Sequence, residues 1–132
     1  MSFQACLCGS SKAFSDCCQP LIEGLKTAET SEALMRSRYC AFKLRNADYL
    51  MQSWDEETRP EFIDFDLSLE WTGLQINGRK KGRKKDGEGW VTFVAHYRIS
   101  GQNIEGYLHE KSYFRKNNNG LWRYVEGEIK AS

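Results

Sequence analysis

Four of the five cysteines in this 132-residue chain fall within its first eighteen positions, as Cys6-Leu7-Cys8-Gly9-Ser10 and then Cys17-Cys18. Two close thiols at each end of a short excursion supply four sulfur ligands of the kind tetrahedral zinc takes, although both pairs are tighter than the usual spacer. Extended backbone puts Cys6 and Cys8 on one side. The adjacent Cys17 and Cys18 need a bend that turns their side chains apart, and Gly9 relieves crowding beside the first pair. Four thiolates fill a tetrahedral coordination sphere, so the expected role of Zn2+ at Cys6, Cys8, Cys17 and Cys18 is structural. Redox thiols, an iron–sulfur centre and unligated cysteines are the alternatives. Cys40, among Tyr39, Ala41 and Phe42, reads as a packed thiol separate from this cluster.

A second constellation lies late in the chain. By period two, Leu108, Glu110, Ser112 and Phe114 share one side of a strand, while His109, Lys111, Tyr113 and Arg115 share the other. If Phe93, Ala95 and Tyr97 line the same concavity from a neighbouring strand, Glu110 becomes a carboxylate in an aromatic setting. It then needs a hydrogen-bond partner or a raised proton affinity. Arg36, Arg38 and Tyr39 on the first long helix are the candidate partners. Glu110 is then a structural counterion, part of a noncatalytic ligand pocket, or a general base. His96 and His109 form no metal or nucleophile set with each other, and no reaction is assigned by the sequence.

The third feature is the run Gly78-Arg79-Lys80-Lys81-Gly82-Arg83-Lys84-Lys85-Asp86-Gly87. Its cations Arg79, Lys80, Lys81, Arg83, Lys84 and Lys85 suit phosphate attraction, yet the glycines lack the spacing of a P-loop, which ends in Lys-Ser or Lys-Thr. Contact with nucleic acid or ribosomal RNA stands beside two alternatives: an ordinary solvated hairpin and an acidic protein surface. The whole chain carries a formal charge of only +1, so a polyanion-binding role would have to be local.

These residues need a scaffold. Hydrophobic residues at 40% and charged residues at 28% describe a folded chain with one ordinary core rather than a disordered tail. No stretch approaches the roughly 20 apolar residues needed to cross a bilayer, and a secretory leader is not expected. A cytoplasmic location and reduced thiols follow as expectations, which favours metal over disulfides. The first 24 residues have too few apolar side chains to build a core. Thr30 or Ser31 can cap a helix carrying Leu34, Met35, Tyr39 and Phe42, Asn46 can recap it, and a second helix is expected over 48–54. Residues 62–69 fit both helical and alternating patterns. Strands are expected over 71–77, 90–100, 104–116 and 121–126, the last pair joined by an Asn-rich turn with Gly120. Helices first and an antiparallel sheet afterwards is an α+β order.

The string Cys6-x-Cys8-Gly9-Ser10-x-Lys12-x-Phe14-x-x-Cys17-Cys18 resembles the SEC-C zinc motif, with Ser11 where that motif usually has Gly. The resemblance implies zinc ligation by the cysteines and association with protein or ribosome contacts. Leu34-Met35-Arg36-Ser37-Arg38-Tyr39-Cys40-Ala41-Phe42 extends the likeness to the YchJ-like family, UPF0225. Further matching pieces are Glu70-Trp71-x-Gly73-Leu74, Phe93-Val94-Ala95-x-Tyr97, His109-Glu110-x-Ser112-x-Phe114 and Gly120-x-Trp122-x-Tyr124. The resemblance implies a SEC-C-like zinc-binding motif over 1–24. It also implies a nuclear-transport-factor-2-like domain over 30–127, a cone of helices packed on a curved antiparallel sheet. It supplies no activity. The leading functional expectation is a zinc-containing binding or adaptor protein touching protein, ribosome or RNA. The alternative is a small-molecule or enzymatic pocket centred on Glu110 with Ser112 and Tyr39. Oligomeric state is not legible.

Overall fold

The computed structural model describes residues 4–130, so the first three positions of the 1–24 segment lie outside the described residues. The chain begins as a tight knuckle. Ala5 bridges Ala13, the Cys6 amide donates to the Lys12 carbonyl at 2.8 Å, and the Phe14 amide donates to the Gln4 carbonyl at 2.9 Å. The reversal between them needs left-handed backbone at Gly9 (φ 80°) and at Ser11 (φ 73°). Ser11 therefore occupies a conformation that glycine takes more cheaply. A single 3-10 turn, Phe14–Asp16, and a short helix α1, Gln19–Ile22, with Pro20 in its first turn, lead out of the knuckle.

Helix α2 spans Ser31–Leu44, and the Thr30 hydroxyl accepts from the Ala33 amide at 3.0 Å, which satisfies one of the free donors of the first turn. It ends at Arg45 in left-handed geometry, and Asn46 starts α3, Ala47–Gln52, by accepting from the Tyr49 amide at 3.0 Å. The second helix is shorter than the 48–54 expected from sequence. Residues 53–55 leave it to pair with the sheet: the Tyr124 amide donates to the Ser53 carbonyl at 2.9 Å and the Asp55 amide to the Tyr124 carbonyl at 2.7 Å. Residues 62–66 form neither helix nor strand, and Phe65 packs edge-on against Phe42.

Four strands follow, β1 Leu69–Lys81, β2 Glu88–Ile99, β3 Glu105–Lys116 and β4 Trp122–Ile129, in a simple antiparallel meander. Register shifts near Trp71/Gly73, Ile76/Gly78 and Tyr113/Phe114 bend the sheet as bulges do. The first strand runs beyond its expected end at 77. Arg79, Lys80 and Lys81 pair with Val91, Trp90 and Gly89, so half of the basic run belongs to the ladder and the loop is confined to 82–87. β2 alternates buried and partly exposed residues from Glu88 to Ala95, the pattern of a strand with one face on a core.

Helix α2 covers that face. The main core joins Leu34, Met35 and Tyr39 of the helix to Val91, Phe93, Ala95, Phe114 and Trp122 of the sheet. Cys6, Cys8, Cys18 and Cys40 belong to the same buried cluster. The knuckle is therefore built onto the main core instead of standing as an appendage. No helix among the described residues is long and apolar enough to cross a membrane.

Candidate metal centre and ligand cavity

The knuckle brings the thiol sulfurs of Cys6, Cys8, Cys17 and Cys18 within 4.8 Å of one another. Four sulfurs about 2.3 Å from a central ion stand about 3.8 Å apart along the tetrahedral edges. The Cys8–Cys17 separation is 3.7 Å and the Cys17–Cys18 separation 3.9 Å. All the cysteines are free thiols. Cys6, Cys8 and Cys18 are buried and Cys17 is half-buried. Hydrogen bonds from Cys18 and then Cys40 pull the Cys8 thiol down, those with Cys40 and then Cys8 push Cys18 up, and burial pushes Cys17 up. One negative charge among these sulfurs thus opposes the next. A central cation removes that conflict, so the donor set fits a thiophilic metal in a four-coordinate site.

Side chains outside the motif hold the loop in place. Arg36 Nη1 donates to the Cys8 carbonyl at 2.7 Å while its Nε donates to Glu32 at 2.9 Å. The Ser10 hydroxyl lies 3.1 Å from Cys17 Sγ, placed to donate to a thiolate. A Cβ at Gly9 would crowd the Leu74 carbonyl of β1, so this glycine also permits the knuckle to sit close on the sheet. Sequence reasoning set Cys40 apart. Its fully buried Sγ lies 3.6 Å from Cys6 Sγ. The signal was present as the one-turn spacing of Arg36 and Cys40 on α2, which puts both on one helix face.

A cavity of about 260 Å³ opens between α2, the Trp54 segment and the concave face of the sheet. Arg38, Tyr39, Phe93, Glu110 and Ser112 line it, together with Met35, Phe42, Trp54, Trp71, Ala95, Leu108 and Tyr124. Three expected members lie elsewhere. Arg36 points one turn away to the knuckle, Phe114 is wholly buried in the core, and Tyr97 packs edge-on against Trp71 and over Gly106. Tyr97 lies two residues beyond Ala95 on β2 and pairs with Trp71 at the end of the lining. His96 is exposed and His109 faces away, so neither enters the cavity.

Arg38 is only 3% exposed. Its guanidinium carbon lies 4.9 Å from the Trp54 ring and 4.5 Å from the Tyr124 ring, and Nη1 donates to the Leu50 carbonyl at 2.9 Å and Ser53 Oγ at 2.6 Å. Burial pushes it down to about 10, which leaves it cationic at neutral pH. Glu110 is pushed above the ordinary carboxylate value by burial, with Arg38 opposing. Its carboxyl fits because β4 passes it at Gly127, where a Cβ would overlap Oε1. Burial also pushes Tyr39 and Tyr124 up to about 12, so both phenols stay neutral. Among the described residues, the buried side-chain polar atoms without a hydrogen-bond partner are Trp54 Nε1 and Ser112 Oγ, and both residues line this cavity. An unpaired buried hydroxyl calls for an explanation, and a ligand contact is one.

The basic run is already engaged. Arg79 pairs with Glu32 at 2.7 Å, Lys81 with Glu88 at 3.7 Å, Arg83 with Asp86 at 3.6 Å and Lys84 with Glu29 at 3.9 Å, while Lys80 lies over the Trp90 ring at 5.3 Å. Lys85 is exposed on the loop.

Comparison with known proteins agrees with this architecture. Residues 30–127 match the family described as YchJ, middle NTF2-like domain. A UPF0225 protein of Streptomyces coelicolor is 43% identical over 124 residues, covering 94% of each chain. The solution structure of a SEC-C motif containing protein from Rhodopseudomonas palustris is 36% identical. It superposes with a TM-score of 0.83 over 97% of this chain and 100% of that one. The crystal structure of a SEC-C motif containing protein from Psychrobacter arcticus is 25% identical, with a TM-score of 0.76 over 98% of this chain and 84% of that one. With a SEC-C-type cysteine cluster set on an NTF2-like sheet and helix, this chain belongs to the YchJ-like UPF0225 family.

Proposed function

We propose that this chain is a binding protein for a small organic ligand, with a structural zinc at Cys6, Cys8, Cys17 and Cys18 that fixes one wall of the binding domain. The observation that carries the reading is Ser112: a hydroxyl that is 1% exposed, has no partner, and lines a cavity that also presents Arg38 and Glu110. A natural core seldom keeps such a group without a use, because leaving it unpaired costs about 1–3 kcal/mol. The aromatic walls supply apolar contact, and the few polar groups fix orientation, the usual division of labour in a ligand pocket. The chemistry favours a compact molecule with an apolar body and an acidic or hydrogen-bonding head that Arg38 orients and that, once the walls shift aside, meets Trp54 Nε1 and Ser112.

The adaptor reading is weaker at the basic run, where four of six cations already face carboxylates. Those pairs are largely exposed and exchangeable, so a polyanion contact there would be salt-sensitive and modest. The discriminating experiment screens small carboxylic acids by thermal shift and follows hits by amide chemical shifts. A genuine ligand moves the Glu110 and Ser112 amides and loses affinity in Ser112→Ala. Hits that move only the 79–85 amides, or RNA binding abolished by neutralising that run with no ligand for the cavity, would replace this reading with the adaptor one.

A further inference from the structure

A fifth sulfur, that of Cys40, lies beside the four-cysteine cluster. The Cys6–Cys40 separation of 3.6 Å matches the Cys8–Cys17 and Cys17–Cys18 separations of 3.7 and 3.9 Å, all close to the edge of about 3.8 Å expected for four sulfurs around zinc. Burial divides the five unequally. Cys6, Cys8, Cys18 and Cys40 are at most 4% exposed, whereas Cys17 is half-buried and lines a surface depression with Leu21, Leu25 and Ala33. Cys17 is thus the solvent-side member, and Cys40, fixed in the interior of α2, lies on the protein side.

We propose that Cys40 is a reserve metal ligand: when Cys17 leaves the zinc, Cys40 replaces it and the tetrahedron becomes Cys6, Cys8, Cys18 and Cys40. The inference rests on the reading of the cluster as a zinc site. The exchange breaks one zinc–sulfur bond and forms another. Cys40 gives up its thiol proton as it binds and Cys17 takes one up as it departs, so charge is conserved and no oxidant or reductant is needed. Arg36 sits one turn before Cys40 and holds the Cys8 carbonyl at 2.7 Å, so the helix and the first cysteine pair stay in register during the swap. The consequence is a Cys17 thiol that can react with an electrophile while the metal stays bound.

The zinc-loaded full chain, treated with limiting iodoacetamide, provides the test. Alkylation of the Cys17 thiolate releases iodide and leaves a thioether, a poor ligand. Native mass spectrometry then counts zinc in the species modified only at Cys17. The wild type is expected to retain one zinc per chain, and Cys40→Ala and Cys40→Ser to lose it, with transfer to a chromophoric chelator at least tenfold faster than from the modified wild type. Equal loss from modified wild type and variants overturns the reserve-ligand role while leaving the zinc site intact. An unmodified wild type that takes up no zinc removes the underlying site reading instead. Cobalt(II) gives an independent readout that does not need alkylation. Cys17→Ala should keep the charge-transfer intensity of four thiolates and Cys17→Ala/Cys40→Ala should show three, whereas three in both overturns the proposal.

Discussion

Replacing Ser112 by Ala should stabilise the ligand-free protein, an unusual direction for a change at a fully buried position. Ser112 is 1% exposed and its hydroxyl has no partner, so the wild type carries a desolvation cost of about 1–3 kcal/mol that alanine removes. Against this stands one lost oxygen, whose packing contacts are worth somewhat under about 1 kcal/mol. The net expectation is a gain of about 1 kcal/mol, or roughly 3–5 °C in Tm for a chain of this size. Calorimetry of metal-loaded wild type and variant, with urea unfolding alongside, measures it. The same variant should lose roughly 3- to 10-fold in affinity for any ligand that uses the hydroxyl. A variant less stable by 1 kcal/mol or more without ligand would mean that the hydroxyl already has a partner, and the argument for a reserved binding group would fail.

Removing the metal should unfold more than the knuckle. Cys6, Cys8 and Cys18 share a core with Leu34, Met35 and Phe93, so chelation is expected to lower a single calorimetric transition by roughly 10 °C or more. Two transitions, the larger unshifted, would refute this. Stability against pH has two opposing contributions. Asp55, held below its ordinary 3.8 chiefly by hydrogen bonds from Arg115, contributes stability that is present above that value and is lost as pH falls through the lowered one. Glu110, raised above 4.5 by burial, acts in reverse: its contribution is present below that value and is lost as pH rises through the raised one. In urea titrations from pH 3 to 7, Asp55→Asn should flatten the acid limb, and Glu110→Gln should gain on wild type toward neutrality but not near pH 4. Identical pH profiles for wild type and both variants would contradict these assignments. Gly82→Ala should cost about 2–4 kcal/mol, because Gly82 has φ 79° and an added Cβ would overlap Ser31 Oγ; a loss below 1 kcal/mol in urea unfolding would contradict that packing.

What the sequence disclosed follows from the range of the forces involved. Caps at Thr30 and Asn46, the period-two face of β3 and the four motif cysteines are local patterns, and each lies where local physics put it. The early end of α3 was illegible because it depends on backbone pairing with Tyr124, some seventy positions later. Tyr97 keeps the alternation of Phe93 and Ala95 and packs on Trp71, but alternation along one strand does not show where the cavity ends. Cys40 is the packed thiol expected, but its approach to Cys6 was illegible for a related reason. An apolar helix face and a thiol-rich loop look independent in one dimension, and only their packing makes a thiol on one a neighbour of the other. Trp54 falls at the end of the helix expected over 48–54; outside that helix it supplies a cavity wall and an unpaired indole N–H.

Helix α2 connects the two sites. Met35, Arg38, Tyr39 and Phe42 follow the spacing of one helical stripe and line the cavity, while Arg36 and Cys40, one turn apart, reach the knuckle. A rotation of α2 that widens the cavity must therefore shift Arg36 and Cys40 against the first cysteine pair. If ligand and metal each select helix positions, thermodynamic linkage requires the effect to be reciprocal. A cavity ligand should raise zinc affinity, measured by competition with a chelator, by the same factor by which zinc raises ligand affinity. Arg36→Ala, which cuts the contact between helix and knuckle without touching the cavity, should reduce that factor toward one. If ligand affinity were the same with and without zinc in protein that remains folded, the two faces of α2 would be energetically independent and the knuckle would serve only to stabilise.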